Sequence, residues 1–336
     1  MSDDCRIGGF ELLQKAVVSN AFHDSGDAVD LPKCHPNTRT AVINKIMDWI
    51  YGQGVDDQNA FILWLYGPAG AGKSAISHEI ARRCHLKKLL LASFFFPRSD
   101  PTRSTAKSLI ATIAYQIMVN IPGMREKIGR IIEQDPCILT QSLEAQVGSL
   151  IVEPLRELAD MGYFEALTSR RLIIVDGLDE CGTLAEQCHI LQAISLLFDE
   201  YHLPLLILIT SRPESHLTYC FTTGSLPKFH TKLVLDDTYK PDDDIRRFLT
   251  DNFRQLKETH RMRYYLDDSW PSVDVLEGLV KKCSGQFTYA SIVTKYISSI
   301  RHNPADRLNV VLGIEPPSCS REAFSVGPCT DLCKNL

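Results

Sequence analysis

The chain has 336 residues, of which 44% are hydrophobic and 23% charged, and its 36 basic and 41 acidic residues give a net charge of −5. These values are ordinary for a globular protein long enough for two domains, and they argue against a dominant nucleic-acid-binding surface. No apolar run approaches the ~18 residues of a membrane helix, so we expect no membrane-spanning segment.

The N-terminal segment, residues 1–35, contains one candidate helix at 10–18 followed by a polar stretch. Its first residues are acidic and lack the apolar core of a signal peptide. A second helix is predicted at 37–51, because Val42, Ile46 and Trp49 recur at helical spacing.

A glycine-rich loop separates the first predicted strand, 61–66, from a helical stretch that starts at residue 75. The pattern G-x-x-x-x-G-K-[ST] is filled by Gly67, Pro68, Ala69, Gly70, Ala71, Gly72, Lys73 and Ser74. Glycines let backbone amides curve around a phosphate, and the next helix adds its free N–H groups. This context predicts a phosphate-binding loop in which Lys73 reaches the β and γ phosphates and Ser74 binds Mg²⁺. The alternative is a glycine-rich turn without a ligand.

Three acidic residues follow another apolar run, 172–175, about a hundred residues downstream. Asp176 ends the predicted strand, where ligands bind in parallel α/β sheets, and we assign it to Mg²⁺. Asp179 and Glu180 come in the loop after it. One of them can polarise the water that attacks the γ-phosphate, and we choose Glu180. The alternative for Asp179 and Glu180 is a solvated pair of charges.

An arginine follows a further apolar run, 205–210. Arg212 is charged at all pH values and can bind two phosphate oxygens, so we predict that it senses the γ-phosphate. The alternative is a surface pair with Glu214. Arg98 and Arg103, after the second strand, can face the γ-phosphate or a neighbouring subunit, or be solvated.

Strands alternate with helices from residue 61 onward, which predicts an α/β fold with a five-stranded parallel sheet and flanking helices. The predicted strands are 61–66, 89–96, 172–176, 205–210 and 231–235. The predicted helices between them include 104–120, 125–133, 143–160 and 184–199.

A small helical domain is expected after the sheet. Pro241 and the acids after it are typical of a helix start, and two more helices are predicted before residue 303. The signal fades at Asn303-Pro304, and a Ser/Cys/Gly-rich end predicts a disordered tail. The expected divisions are a segment at 1–35, an NTPase domain at 36–238, a helical domain at 239–303 and a tail at 304–336.

The 11 cysteines are scattered and odd in number, without a spacing typical of a zinc site. Such thiols are typical of a reducing compartment. Together with the acidic N terminus, they lead us to expect a cytoplasmic protein with free cysteines.

The motifs resemble those of a NACHT domain of the STAND class of signalling NTPases. The likeness is greater to fungal proteins whose N-terminal part is similar to nephrocystin-3. Besides the loop at 67–74 and the acidic motif at 176–180, the resemblance is carried by Thr210, Ser211, Arg212, Pro213 and Glu214, and by Cys34, His35, Pro36, Asn37, Thr38 and Arg39. It covers roughly residues 10–312.

The resemblance implies a nucleotide contact for Thr38 and Arg39. It also implies slow hydrolysis of ATP, or less favourably GTP, with Mg²⁺ as cofactor and the nucleotide as a switch. A triphosphate-bound homo-oligomer and an unknown protein partner would follow from it.

Two alternatives to a hydrolysing switch stay open. A nucleotide-binding scaffold without useful hydrolysis is favoured by the stretch 284–290, which contains no proline where the family often presents one to the base. A small-molecule kinase uses the same kind of loop, but it needs an arginine-rich lid, and the sequence shows no compact arginine cluster.

Overall fold

A computed structural model describes residues 8–26, 32–53, 60–96, 105–164, 171–224 and 226–313. The predictions for residues 1–7, for Arg98 and Arg103 and for 314–336 lie outside these ranges. The chain divides into two compact units. The first unit comprises Met1–Cys34 and Arg39–Tyr239, and the second His35–Thr38 and Lys240–Leu336. No helix in the described ranges has the length and apolarity that a membrane span requires.

In the described part of the first unit, five parallel strands form one sheet in the order β2-β3-β4-β1-β5. The strands are β1 Ile62–Tyr66, β2 Leu90–Phe95, β3 Arg171–Asp176, β4 Leu205–Ser211 and β5 His230–Val234. The predicted α/β fold with a five-stranded parallel sheet is therefore confirmed, and each strand end lies within one residue of its predicted position.

Helices cover both faces of this sheet. They are α1 Gly9–Ala16, α2 Thr40–Ile50, α3 Lys73–Leu86, α4 Ala106–Asn120, α5 Met124–Gln134, α6 Leu143–Val147, α7 Glu153–Asp160, α8 Leu184–Asp199 and α9 Ser215–Thr222. Helices α2 and α3 pack on one face, and the others contribute to the core on the opposite face.

The apolar character of the strands follows from this double covering. In β1, Ile62 and Trp64 lie in the core of one face, and Leu63 and Leu65 in the core of the other. Because successive side chains of a strand point to opposite faces, a strand covered on both sides is apolar at every position.

The single helix predicted at 143–160 is wrong in one respect. A π-helical turn, Gly148–Val152, separates α6 from α7. Pro154, in the first turn of α7, has no backbone N–H to donate to the carbonyl four residues earlier. The wider turn passes the chain over this missing donor without ending the helical path.

The second unit contains four α-helices among its described residues: α10 Pro241–Thr259, α11 Val273–Cys283, α12 Phe287–Ile297 and α13 Pro304–Leu312. Their apolar faces form a core of their own, to which each helix contributes. The segment His35–Thr38 joins this unit through a contact of 2.9 Å between His35 Nε2 and Asp251 Oδ2. Arg247 donates to the Asn37 carbonyl at 3.3 Å.

The prediction that the disordered tail begins at residue 304 is wrong for its first nine residues, because these form α13. The Asn303 side chain accepts a hydrogen bond from the Ala305 N–H, and Pro304 is the first helical residue. Gly313 ends the helix in the left-handed conformation. These are the start and stop signals of a short helix, and Leu308 and Val311 are buried against the rest of the unit.

Candidate functional site

The segments that carry the predicted site meet at one edge of the sheet. Strand β4 lies between β3 and β1, with Tyr66 opposite Ser211 and Val175 opposite Ile209. The loops that follow these three strands therefore leave the sheet side by side. This is the carboxyl edge, where parallel α/β sheets bind their ligands.

The phosphate loop, residues 67–74, requires glycine at three positions. Gly70 and Gly72 have φ angles of 76° and 94°, in the left-handed region that costs other residues ~1–2 kcal/mol. At Gly67, a Cβ would lie 2.9 Å from the Cβ of Leu235. Pro68 and Ala69 are exposed at the tip of the loop. Glycine at these three positions therefore allows the observed path of the loop backbone, and a larger residue at any of them would disturb it.

Lys73 and Ser74 are the first two residues of α3, so they belong to the helix turn whose N–H groups lack helical partners. The ammonium group of Lys73 donates to the carbonyls of Gly67 at 2.8 Å and Pro68 at 3.0 Å. It thus lies across the loop, at the positive end of the helix dipole. An anion placed here meets both the ammonium and the helix N-terminus.

Arg39 supports the loop from within the protein. Its side chain is 4% exposed, and its Nη2 donates to the Ala71 carbonyl at 2.8 Å. Arg39, which we predicted to contact the nucleotide, therefore also positions the phosphate loop. Thr38 is buried in the second unit, where its hydroxyl donates to the His35 carbonyl at 2.7 Å.

Asp176 is the last residue of β3 and is 4% exposed. The hydroxyl of Thr210, on the adjacent strand β4, donates to Asp176 Oδ1 at 2.6 Å. The same hydroxyl accepts the N–H of Gly177 at 3.0 Å. Thr210 therefore fixes the orientation of a buried carboxylate by holding one of its two oxygens.

Asp179 and Arg212, two of the three predicted catalytic residues, contact each other. Asp179 Oδ1 accepts the backbone N–H of Arg212 at 3.0 Å, and its Oδ2 lies 3.2 Å from Arg212 Nε. The carboxylate is 8% exposed and the arginine side chain 47%. The partner of Arg212 is thus Asp179 rather than Glu214, which had been the alternative. Glu180, at the end of the 3₁₀ turn Leu178–Glu180, is half-buried.

Two further residues that the motifs did not indicate hold this corner together. Gln187, in α8, donates to the carbonyls of Asp179 at 3.1 Å and Cys181 at 2.8 Å. His216 Nε2, in α9, lies 2.6 Å from Gln187 Oε1. Because this amide oxygen only accepts, Nε2 of His216 carries the proton. Their position directly after two motif loops is the signal that could have identified them.

His78, in α3, contributes no positive charge to the site. Its ring stacks on Phe95 with the centroids 3.8 Å apart. Burial lowers the pKa of His78 below its usual 6.5, against the opposing effect of the Asp176 charge. The imidazole is therefore neutral at neutral pH.

The fold and this loop define the class of the chain. A parallel sheet with the order β2-β3-β4-β1-β5, a glycine loop between β1 and α3 and a buried aspartate at the end of β3 make a P-loop NTPase fold.

The chain belongs to the family described as Nephrocystin 3, N-terminal. The model of this family matches residues 44–212, which is half of the chain. The match includes the phosphate loop, Asp176, Asp179, Glu180 and Arg212, and ends at that arginine. No curated protein sequence matches the chain.

Several solved structures are similar to the chain at low sequence identity. PCH-2 of C. elegans is 12% identical over 86% of this chain and 71% of its own, with a TM-score of 0.44. The ORC2 protein of Aeropyrum pernix, in its ADPNP-ADP complexes, is 12% identical over 89% and 74%, with a TM-score of 0.49. A chain of Drosophila ORC bound to GC-rich DNA and Cdc6 is 10% identical, and this chain spans 47% of its length with a TM-score of 0.38.

Proposed function

We propose that the chain binds a nucleoside triphosphate with Mg²⁺ at the phosphate loop and uses it as a signalling switch of the NACHT and STAND kind. The observation that supports this most is the arrangement of the sheet edge. Lys73 starts the helix after β1, Asp176 ends β3 and Arg212 directly follows β4, and these three strands are adjacent in the sheet. The resemblance to NACHT proteins favours ATP over GTP.

The residues of the loop fit a polyphosphate. The left-handed glycines direct the backbone of the loop around the space where a phosphate would lie, and the first turn of α3 offers N–H groups to it. Lys73 exchanges its two carbonyl partners for phosphate oxygens. Because a charged pair is stronger than a bond to a neutral carbonyl, this exchange favours the bound state.

The residues also fit a magnesium ion. Ser74 would offer its hydroxyl, and Asp176 would offer the carboxylate that Thr210 orients. Such an ion supplies neutralisation of the charge that develops on the phosphate oxygens. The protein's part is to hold these two oxygen ligands in a fixed direction.

We assign water activation to Glu180 and a positioning task to Asp179. Both oxygens of Asp179 are engaged by Arg212, so this carboxylate holds the arginine at the end of β4. Arg212 would then recognise the γ-phosphate, and the exposed half of its side chain leaves it room to do so.

Single-turnover hydrolysis tests this assignment. Each protein is mixed in excess with a trace of labelled ATP. The proteins are wild type, Glu180→Gln and, as a matched acidic control, Glu186→Gln. We expect hydrolysis by wild type and Glu186→Gln and loss of at least tenfold in Glu180→Gln, because general-base groups contribute on the order of 10²-fold or more. Equal, background-level rates in all three would favour the nucleotide-binding scaffold.

We further propose that the nucleotide state controls the arrangement of an NTPase domain, 36–238, and a helical domain, 239–303. The proposed hinge lies at 236–242, and Lys240 in it has a φ of 47°. A switch requires that tri- and diphosphate bind the two arrangements unequally. We expect the protein to have a larger particle mass with ATP than with ADP, because the triphosphate state would associate with itself or with an unidentified protein partner. Size exclusion with light scattering measures the particle mass. An equal mass in both states contradicts the self-association.

A further inference from the structure

Two half-buried thiols contact each other in the first unit, behind the Asp179–Arg212 corner. Cys220, in α9, donates an S–H hydrogen bond to the sulfur of Cys188, in α8, across 3.0 Å. The two residues are 32 positions apart, so the fold brings them together. Cys84 and Cys181, in contrast, are buried, and burial raises the pKa of each of these thiols to about 12.

The helices that carry the two thiols also hold the corner of the site. Gln187, directly before Cys188, binds the carbonyls of Asp179 and Cys181. His216 binds Gln187 from α9, and Cys220 lies four residues after His216, on the same helix face. The thiol contact is therefore the next contact along the same α8–α9 interface.

We propose that Cys188 and Cys220 are a redox modification site, a dithiol that a small-molecule disulfide converts into an intramolecular disulfide joining α8 to α9. The sulfurs must approach from 3.0 Å to about 2.05 Å, which is a small movement for two side chains already in contact. Two helices packed against each other offer this without rearrangement of the sheet.

The reaction with oxidised glutathione proceeds in two exchanges. The thiolate of Cys188 attacks one glutathione sulfur, the bond between the glutathione sulfurs breaks, and a mixed disulfide and one glutathione thiolate result. Cys220 then gives its proton to the released glutathione thiolate as its sulfur attacks the sulfur of Cys188, and the second glutathione leaves. The two cysteine protons end on the two released thiolates, and two electrons reduce the oxidant to two glutathione thiols.

The direction of the hydrogen bond determines which cysteine reacts first. Burial, together with the contact to Cys188, raises the pKa of Cys220 to about 12. Cys220 therefore keeps its proton and donates it, whereas Cys188 accepts. The accepting sulfur starts the exchange, and Cys220 resolves the mixed disulfide.

The disulfide restricts the segment that begins with Arg212. Because a cross-link opposes local opening of α9, we expect amide exchange at 215–222 to slow at least tenfold. Its consequence for nucleotide sensing rests on the proposed function: the oxidised protein would discriminate less between tri- and diphosphate.

Disulfide mapping on the full chain tests the proposal without any nucleotide, so its outcome is independent of the proposed function. The protein is incubated with oxidised glutathione, alkylated, digested without reductant and analysed by mass spectrometry. We expect a peptide pair joined through Cys188 and Cys220, reversed by dithiothreitol, and slower amide exchange at 215–222.

The variants define the order of the two exchanges. Cys220→Ser should stop at a stable glutathione adduct on Cys188, and Cys188→Ser should give no adduct on Cys220. Cys137→Ser, at an exposed cysteine, is the matched control and should form the disulfide normally. Adducts confined to Cys137, or a cross-link between other cysteines in wild-type protein, would overturn the proposal.

Discussion

The phosphate loop and the Asp179–Arg212 corner lie at the same sheet edge but depend on different kinds of interaction. The loop at 67–74 takes its course from consecutive residues, through the left-handed glycines and the start of α3. The corner joins residues 33 positions apart, and Gln187 and His216 tie it to two helices. Local sequence thus builds the part that binds phosphate, whereas tertiary contacts build the part that would sense which nucleotide is bound.

The largest expected effect comes from Lys73→Ala, in the phosphate loop that consecutive residues build. Loss of a charged hydrogen-bond donor to phosphate costs about 3 kcal/mol, so ATP affinity should fall by about 100-fold. Isothermal titration calorimetry measures it. Lys87→Ala, at the other end of α3, is the control and should bind like wild type. Retained affinity in Lys73→Ala would remove the assignment of the loop.

Thr210→Val tests the contact that orients Asp176. Valine keeps the shape of threonine but loses the bonds to Asp176 and Gly177, which should lower the free energy of unfolding by about 2 kcal/mol. Chemical denaturation measures it, and Thr222→Val, at an exposed position of α9, should change stability by less than about 0.5 kcal/mol. Equal stabilities of the two variants would contradict the role of Thr210.

Gly72→Ala tests the backbone of the phosphate loop without removing a charge. A Cβ at a φ of 94° is strained, so we expect a loss of about 1–2 kcal/mol in the free energy of unfolding. Gly278→Ala, inside α11 with open space around the added Cβ, should stabilise by about 0.5–1 kcal/mol. Thermal or urea unfolding compares them, and an unchanged Gly72→Ala would show that the loop tolerates another course.

Arg212→Ala gives the smallest stability effect and the most specific functional one. An arginine this exposed contributes about 1 kcal/mol or less to stability. The ratio of ATP to ADP affinity, however, should fall by about tenfold, because one charged contact to the γ-phosphate is lost. Arg82→Ala, an exposed arginine paired with Glu79, should leave the ratio unchanged. An unchanged ratio in Arg212→Ala would mean that the corner does not sense phosphate.

The same division explains what could be predicted from sequence. The sequence locates each strand end to within one residue because the apolar runs are bounded by turns, and it locates the phosphate loop because the pattern of that loop is continuous. The contact of Arg212 with Asp179, rather than with Glu214, depends on how β3 and β4 align. Arg39 was assigned to the nucleotide by resemblance, and its bond to Ala71 becomes visible only once α2 is packed on the sheet.

Two predictions, the single helix at 143–160 and the disordered tail from residue 304, failed for local reasons that apolar periodicity does not show. Pro154 changes the hydrogen-bond pattern within an otherwise continuous apolar helix, which gives the π-helical turn. Helix α13 has only nine residues, so its cap at Asn303 and its stop at Gly313 are stronger signals than its periodicity. Positions of Gly, Pro and Asn therefore deserve more weight than apolar spacing in short segments.

A crystal structure of the chain with Mg²⁺ and a non-hydrolysable ATP analogue tests the central claim most directly. We predict the β and γ phosphates within hydrogen-bond distance of Lys73 Nζ, the metal between Ser74 and Asp176, and Arg212 facing the γ-phosphate. An ordered nucleotide bound away from residues 67–74, or phosphates that do not contact Lys73, would contradict the account.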